Sequence, residues 1–162
     1  MTKRILFIGQ APAKPNSKHS TPGTYLNAWL KDVGFQDPEI RSSMRFYALI
    51  DTFPGSNAVG HLRPTPSQIA AHKSTLIAQI QTFKPDIIVA VGRMAIDEVL
   101  QTQKSKLTDI IGNVYMYDPF DCLDYDLPIL PLPHPSGRST WLIQHQDLVR
   151  KALATLKQLS SA

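Results

Sequence analysis

Apolar runs alternate with amphipathic stretches along this chain, and the two patterns predict strands and helices in turn. The apolar runs cover residues 4–9, 46–50, 86–91, 112–117 and 127–132. The amphipathic stretches begin at residue 23 or 24, at residue 66 and at residue 93, and the last one covers residues 141–158. Such alternation is typical of a parallel sheet with helices on both faces. We therefore expect an α/β fold, a three-layer α/β/α sandwich with a central, mostly parallel sheet of four or five strands.

Two of the predicted elements carry strong local signals. Residues 65–68 read Thr-Pro-Ser-Gln, a capping box with proline at the first helical position, and they predict the start of a long helix. The apolar stripe of this helix consists of Ile69, His72, Leu76, Ile80 and Phe83. Residues 86–91 are rich in β-branched side chains, as expected of a strand at the centre of a parallel sheet. Gly92 then turns this strand into the next helix.

Two polar loops follow the first and the last of the long apolar strands. Residues 9–13 read Gly-Gln-Ala-Pro-Ala, and residues 133–139 read Pro-His-Pro-Ser-Gly-Arg-Ser. The prolines on both sides of His134 hold the backbone extended and prevent a helix there. Because open α/β sheets bind ligands at the carboxyl ends of their strands, we expect the two loops to form one site.

These loops resemble two motifs of the uracil-DNA glycosylase superfamily. Residues 9–13 resemble motif 1, which reads Gly-Gln-Asp-Pro-Tyr, Gly-Glu-Ala-Pro-Gly or Gly-Leu-Ala-Pro-Ala in different branches, and residues 134–139 resemble motif 2, His-Pro-Ser-Pro-Leu-Ser. Between them, residues 53–55, 63–66 and 84–95 are similar in order and spacing to the middle of the iron–sulfur branches. The last two branches of motif 1 are the most similar to this chain.

The resemblance covers nearly the whole chain, so we expect residues 1–162 to form a single glycosylase-like domain. It implies an enzyme that flips uracil, or another deaminated base, out of DNA and hydrolyses the N-glycosidic bond. Such a reaction is the first step of base-excision repair, and here it would proceed without lyase activity. The implied partner is uracil-containing DNA.

The resemblance also implies catalytic roles for individual residues. His134 corresponds to the histidine that donates a hydrogen bond to O2 of the leaving uracil, which a neutral imidazole can do with its one N–H. Gln10 stands where one branch has a carboxylate, and it can orient a water but cannot act as a base. Ala11 stands where another branch has a water-activating aspartate. Asp51, just after the second strand, is the nearest carboxylate; it would hold the water, read the base edge, or only cap a turn.

The remaining candidate residues bind the base or the DNA backbone. The resemblance implies that the loop of Gly9, Ala11 and Pro12 approaches the base closely, and Phe53 and Tyr25 are candidates for stacking on it. Core packing is the alternative role for Tyr25, and we favour it. Arg138 stands where other members wedge a leucine into the base stack, and a guanidinium can both stack and meet phosphates. The DNA-binding candidates are Ser136, Gly137, Arg138 and Ser139.

Composition limits the cofactors and the surroundings of the protein. The chain has 43% hydrophobic and 19% charged residues, values typical of a globular protein, and a net charge of +4 that suits a DNA binder. Cys122 is the single cysteine, so neither a disulfide nor a cysteine-ligated iron–sulfur cluster can form within the chain. Thr52 and His72 stand where the iron–sulfur branches carry cysteines. No apolar run reaches membrane-spanning length, and the basic start leads into a strand. We therefore expect a cytoplasmic monomer that uses no metal or other cofactor.

Three classes of function fit these observations. The first is an active DNA glycosylase, and the second is a nucleic-acid binder of the same fold that lost hydrolysis together with the motif 1 carboxylate. The third is a nucleotide or small-molecule binder with similar loops. Residues 92–95 read Gly-Arg-Met-Ala and lack the glycines of a dinucleotide motif and the lysine of a phosphate loop, which argues against the third class.

Overall fold

The computed structural model describes residues 2–12, 23–52, 56–57, 60–101, 105–135 and 139–161. Their strands, in chain order, are β1 (Ile5–Gly9), β2 (Met44–Ala48), β3 (Ser56–Asn57), β4 (Gly60–His61), β5 (Ile87–Val91), β6 (Tyr115–Tyr117) and β7 (Leu127–Leu132). Their helices are α1 (Thr24–Asp32), α2 (Pro38–Ser42), α3 (Pro66–Phe83), α4 (Arg93–Leu100), α5 (Leu107–Ile110), α6 (Thr140–Gln144) and α7 (Gln146–Ser161).

Five of the strands form one sheet in the order β2-β1-β5-β7-β6. Neighbouring strands are parallel except at one edge, where β6 runs antiparallel to β7. Strands β3 and β4 form a separate antiparallel pair. Helix α4 packs against β1 and β5, and α7 packs against β7. The predicted α/β fold with a central, mostly parallel sheet flanked by helices is therefore confirmed.

The core is built around β5, the middle strand of the sheet. All five of its residues are buried, as the apolar run predicted. Helix α3 begins with the predicted capping box at Thr65, and its predicted stripe is buried at Ile69, His72, Leu76 and Ile80, with Phe83 half-buried. Helix α1 ends before Gly34, which adopts a φ of +88°, as expected of a glycine that ends a helix.

The structure differs from the sequence-based expectations at three places. Strand β2 covers Met44–Ala48 rather than residues 46–50; Leu49 still donates one hydrogen bond to the Gly9 carbonyl of β1, and both Leu49 and Ile50 are buried. The run at 112–117 has strand geometry only from Tyr115. The expected closing helix is divided at His145, whose ring stacks on Trp141 with centroids 4.4 Å apart and whose Nδ1 lies 2.8 Å from the Trp141 carbonyl oxygen. This side-chain contact holds His145 at a φ of −128°, outside helical geometry.

Hydropathy gives no sign of a bilayer segment in the described part of the chain, where no helix is both long and apolar enough to cross a membrane.

The capping box at the start of α3 generates a stability prediction. The Thr65 hydroxyl accepts a hydrogen bond from the Gln68 amide (3.2 Å), and the Gln68 side chain accepts one from the Thr65 amide (2.8 Å). Thr65→Ala removes the first bond and should lower the free energy of unfolding by about 1 kcal/mol. Urea denaturation measures this loss. Ser67→Ala, an exposed change in the same helical turn, is the control and should cost less; equal losses would contradict a capping role for Thr65.

Candidate active site

The three central parallel strands end side by side, and the loops that follow them share one edge of the sheet. Strand β5 lies between β1 and β7, and the carboxyl ends of these strands are Gly9, Val91 and Leu132. The Gly92 amide donates a hydrogen bond to the Leu132 carbonyl (2.8 Å), which extends the β5–β7 ladder to the start of the His134 loop. The two loops singled out in the sequence therefore start on either side of β5.

The side chain of Gln10 lies over Gly92, at the point where β5 gives way to α4. A Cβ atom built on Gly92 would stand 3.0 Å from Nε2 of Gln10, so the two residues are in close contact. Gly92 adopts a φ of +89°, which side-chain-bearing residues avoid. The sequence predicted Gly92 only as a turn residue, and its contact with Gln10 carries no sequence signal.

The backbone of the motif 1 loop is anchored on one side and open on the other. Ala11 packs against the core, and the Gly9 carbonyl accepts a hydrogen bond from the Leu49 amide (3.0 Å). A Cβ atom built on Gly9 would meet no described atom within 4 Å. Gly9, Gln10, Ala11 and Pro12 are all half-buried. Among the described residues, the loop thus combines an anchored backbone with room for a Cβ atom beside Gly9.

His134 is exposed at the same edge, two residues after the end of β7. Pro133 before it is buried and Pro135 after it is half-buried, so the prolines anchor the segment that carries the imidazole. Ser139 caps helix α6, because its hydroxyl accepts a hydrogen bond from the Leu142 amide (3.3 Å). Ser136, Gly137 and Arg138 lie outside the described residues.

The other candidates differ in exposure. Asp51 is exposed on a bend three residues after β2, the strand that pairs with β1. Tyr25 lies in the first turn of α1, and 53% of its surface is exposed, so the favoured expectation that it packs in the core is wrong. The helix buries Leu26 and Leu30 instead, and one residue of helical rotation directs Tyr25 away from that stripe. Phe53 lies outside the described residues.

A positively charged side chain, that of Arg93, follows the contact between Gln10 and Gly92 in the chain. Arg93 is the first residue of α4, directly after Gly92, and its Nε lies 3.0 Å from a carboxylate oxygen of Asp97 one turn later. The ion pair is partly buried, with 30% of the Arg93 side chain and 18% of the Asp97 side chain exposed. The Arg93 guanidinium thus lies at the middle of the edge, and its charge is balanced by that of Asp97.

The family of the chain can be decided by comparison with known proteins. Residues 1–157 match the model of the uracil DNA glycosylase superfamily. The chain belongs to this superfamily. It is also 30% identical over 138 residues to the type-4 uracil-DNA glycosylase of Thermotoga maritima, a match that covers 82% of this chain and 65% of that protein. The chain thus spans about two thirds of the length of this curated relative.

The residues of this superfamily member do not fit a cysteine-ligated iron–sulfur cluster, which needs several thiolates. Cys122 is the one cysteine of the chain; its amide donates to Asp118 (3.0 Å) and its carbonyl accepts from Gln81 (3.0 Å). Burial, together with the nearby carboxylates of Asp118 and Asp121, raises the pKa of the Cys122 thiol to about 11. The thiol is therefore protonated at neutral pH, whereas metal ligation requires a thiolate.

The two positions that correspond to further cluster cysteines have other surroundings. Thr52 is exposed on the bend after β2, and His72 is buried in the apolar stripe of α3. The described residues contain no group of three or more histidine, cysteine, aspartate or glutamate side chains that could hold a metal ion.

The open space at Gly9 generates a prediction about the two kinds of glycine in this protein. Gly9→Ala should change the free energy of unfolding by no more than about 0.5 kcal/mol, as usual for a substitution without strain. Gly34→Ala is the matched control, since it too meets no described atom within 4 Å but requires a φ of +88°. That strain should cost about 1–3 kcal/mol. Urea denaturation of both variants measures the difference, and equal losses would show that Gly9 is constrained.

Proposed function

We propose that this protein is a DNA glycosylase that hydrolyses the N-glycosidic bond of uracil, or of another deaminated base, after flipping the nucleotide out of the helix. The observation that supports the proposal is that both motif loops begin at the same edge of the sheet, on either side of β5, where Gly92 contacts Gln10 and its amide donates to Leu132, the last residue before the His134 loop. We also propose that the substrate is a deaminated base and that the bond is hydrolysed without lyase activity. Within the superfamily, we place the chain nearest the branches whose motif 1 reads Gly-Glu-Ala-Pro-Gly or Gly-Leu-Ala-Pro-Ala.

The departing base develops negative charge on O2 and on its ring, while the sugar becomes positive. An N–H of His134 donates to O2, and preorganised donors of this kind are usually the largest electrostatic term in catalysis. The base lies in the open space before Gly9, against Ala11 and Pro12, and Tyr25 or Phe53 stacks on it. The exposure of Tyr25 supports its candidacy, because a buried ring could not reach a ligand.

Water is the nucleophile, and the side chain that positions it distinguishes two versions of the mechanism. In the first, the Gln10 carboxamide orients the water without accepting a proton, which suffices where the leaving group departs largely by dissociation. In the second, Asp51 accepts the proton as a general base. The contact between Gln10 and Gly92 favours the first version, since it holds the carboxamide beside the central strand.

DNA is the proposed partner of a monomer that acts in the cytoplasm. Arg138 fills the space that the extruded nucleotide leaves, and Ser136, Gly137 and Ser139 meet the flanking phosphates. The net charge of +4 supports this assignment, because phosphate contacts require cations.

A non-catalytic nucleic-acid binder is the second candidate, and one observation favours it. No aspartate or glutamate occurs in residues 1–31, so motif 1 supplies no carboxylate to stabilise the sugar cation. Excision assays on uracil, hypoxanthine and xanthine oligonucleotides separate the two candidates. DNA binding that weakens steeply with salt, without excision of any base, would establish the second.

His134 generates the first functional prediction. His134→Ala should lower single-turnover excision of uracil by roughly 10²–10³-fold, the loss expected when one oxyanion donor is removed. Because the His134 side chain is exposed, the melting temperature of the His134→Ala variant should stay close to that of the unaltered protein.

The matched control is His145→Ala, since His145 divides α6 from α7 through its contact with Trp141. It should lower the melting temperature and spare the chemical step. Near-normal turnover in His134→Ala would show that this histidine is structural.

The water-positioning residue generates the second functional prediction. If Gln10 orients the water, Gln10→Glu should keep or raise activity, because a carboxylate there adds stabilisation of the sugar cation, and Asp51→Asn should act mainly on base choice. If Asp51 is the base, Asp51→Asn should cost about 10²–10⁴-fold, the range of general acid–base catalysis. Single-turnover rates of both variants, and of Gln10→Ala, on the same oligonucleotide decide between them. Full activity in Gln10→Ala would refute the first version.

A further inference from the structure

Gly92 joins the two halves of the candidate site, and this arrangement assigns it a role beyond turning the chain. We propose that Gly92 is a positioning residue: its missing side chain provides the seat for the Gln10 carboxamide, and its peptide group fixes the start of the His134 loop relative to that seat. The expected effect on excision rests on the proposed function. The positioning of Gln10 and of the His134 loop by Gly92 is argued from the contacts of Gly92 alone.

A side chain at residue 92 would press on the Gln10 carboxamide. An added Cβ atom would lie 3.0 Å from Nε2 and 3.5 Å from both Cδ and Cγ of Gln10. Ordinary van der Waals contact begins near 3.4 Å, so the terminal amide would have to move by a few tenths of an ångström. Glycine at residue 92 is thus what allows Gln10 to occupy its observed position.

The other side of Gly92 faces the second loop. Its N–H donates to the carbonyl of Leu132 (2.8 Å), two residues before His134, and Gly92 itself is buried. The residue stands between the fully buried strand β5 and helix α4, both of which pack in the core. Because both elements pack in the core, the position of Gly92 is fixed, and Gln10 and the start of the His134 loop are positioned by their contacts with it.

A displacement of the Gln10 amide should slow the reaction. Misplacing a catalytic group by about 1 Å can cost about 10²-fold in rate, so a shift of a few tenths of an ångström should cost less, up to about tenfold. Gly92→Ala should therefore impair excision through Gln10. The same substitution should matter little once the Gln10 side chain has been removed.

Four proteins test this coupling: the unaltered chain, Gly92→Ala, Gln10→Ala and the double variant. Gly92→Ala should lower the single-turnover rate on a uracil oligonucleotide by up to about tenfold in the presence of Gln10. In the Gln10→Ala background, the same change should lower the rate by less than about twofold if the energies couple as expected of contacting residues. Equal factors in both backgrounds would overturn the proposal.

Gly34→Ala is the matched control for backbone strain. Gly34 has a φ of +88°, nearly that of Gly92, but no described atom within 4 Å of its added Cβ, and it lies after α1 rather than at the edge that carries the site. Gly34→Ala should lower stability and leave the excision rate of the folded protein unchanged. A loss of rate equal to that of Gly92→Ala would assign the effect to general destabilisation and overturn the proposal.

A spectroscopic measurement separates this proposal from the proposed function. In ¹H–¹⁵N spectra, the side-chain amide signals of Gln10, assigned from their loss in Gln10→Ala, should shift in Gly92→Ala and stay in place in Gly34→Ala. Unmoved signals in Gly92→Ala would refute the seat whether or not the protein excises any base. Shifted signals in a protein that excises no base would uphold the seat and refute only the glycosylase function.

If Gly92→Ala does not fold, thermal melting of the double variant tests the proposal instead. The Gln10→Ala/Gly92→Ala variant should then recover a folded, cooperatively melting state, because the collision has been removed. Failure of both variants to fold would show that backbone strain alone explains the glycine, and the seat would be refuted.

Discussion

The complete burial of β5 is the constraint on which the rest of this structure depends. Each large side chain moved from water into the core contributes about 1.5–3 kcal/mol, and β5 has a strand on each side and helix α4 packed against it. Its neighbours β1 and β7 are parallel to it, so their carboxyl ends are forced to the same edge. A ligand site at that edge follows from the topology, and the residues that follow Gly9, Val91 and Leu132 decide its chemistry.

A carboxamide, an imidazole and an ion-paired guanidinium follow the central strands at this edge of the sheet. Gln10 presents a carboxamide, His134 presents an imidazole, and Arg93 is paired with Asp97. The nearest candidate carboxylate, Asp51, is exposed on a bend beyond β2. Under the proposed function, stabilisation of the leaving base would thus come from hydrogen-bond donors, whereas the positive sugar would receive less help than in branches that carry a carboxylate in motif 1.

The sequence predicted those elements whose apolar pattern is sustained over many residues or whose ends carry a clear capping motif. The helix opened by Thr65, the buried strand before Gly92 and the start of both motif loops at the ends of β1 and β7 are confirmed, since apolar periodicity and capping are local properties. The division of the last helix at His145 depends on a ring stacked on Trp141, and the exposure of Tyr25 depends on which neighbour faces the core. The contact between Gln10 and Gly92 joins residues 82 positions apart, so no local pattern could reveal it. The roles of the site residues stay predictions.

The protonated thiol of Cys122 has a practical consequence for work in solution. Alkylating reagents and disulfide exchange act on thiolates, so the raised pKa of Cys122, about 11, slows its reaction near pH 7 relative to an ordinary thiol. A cysteine introduced at an exposed position beside the motif loops would have an ordinary thiol and would react far faster. A fluorophore or spin label could therefore be attached there in the native background, without first removing Cys122, to follow how DNA approaches this edge of the sheet.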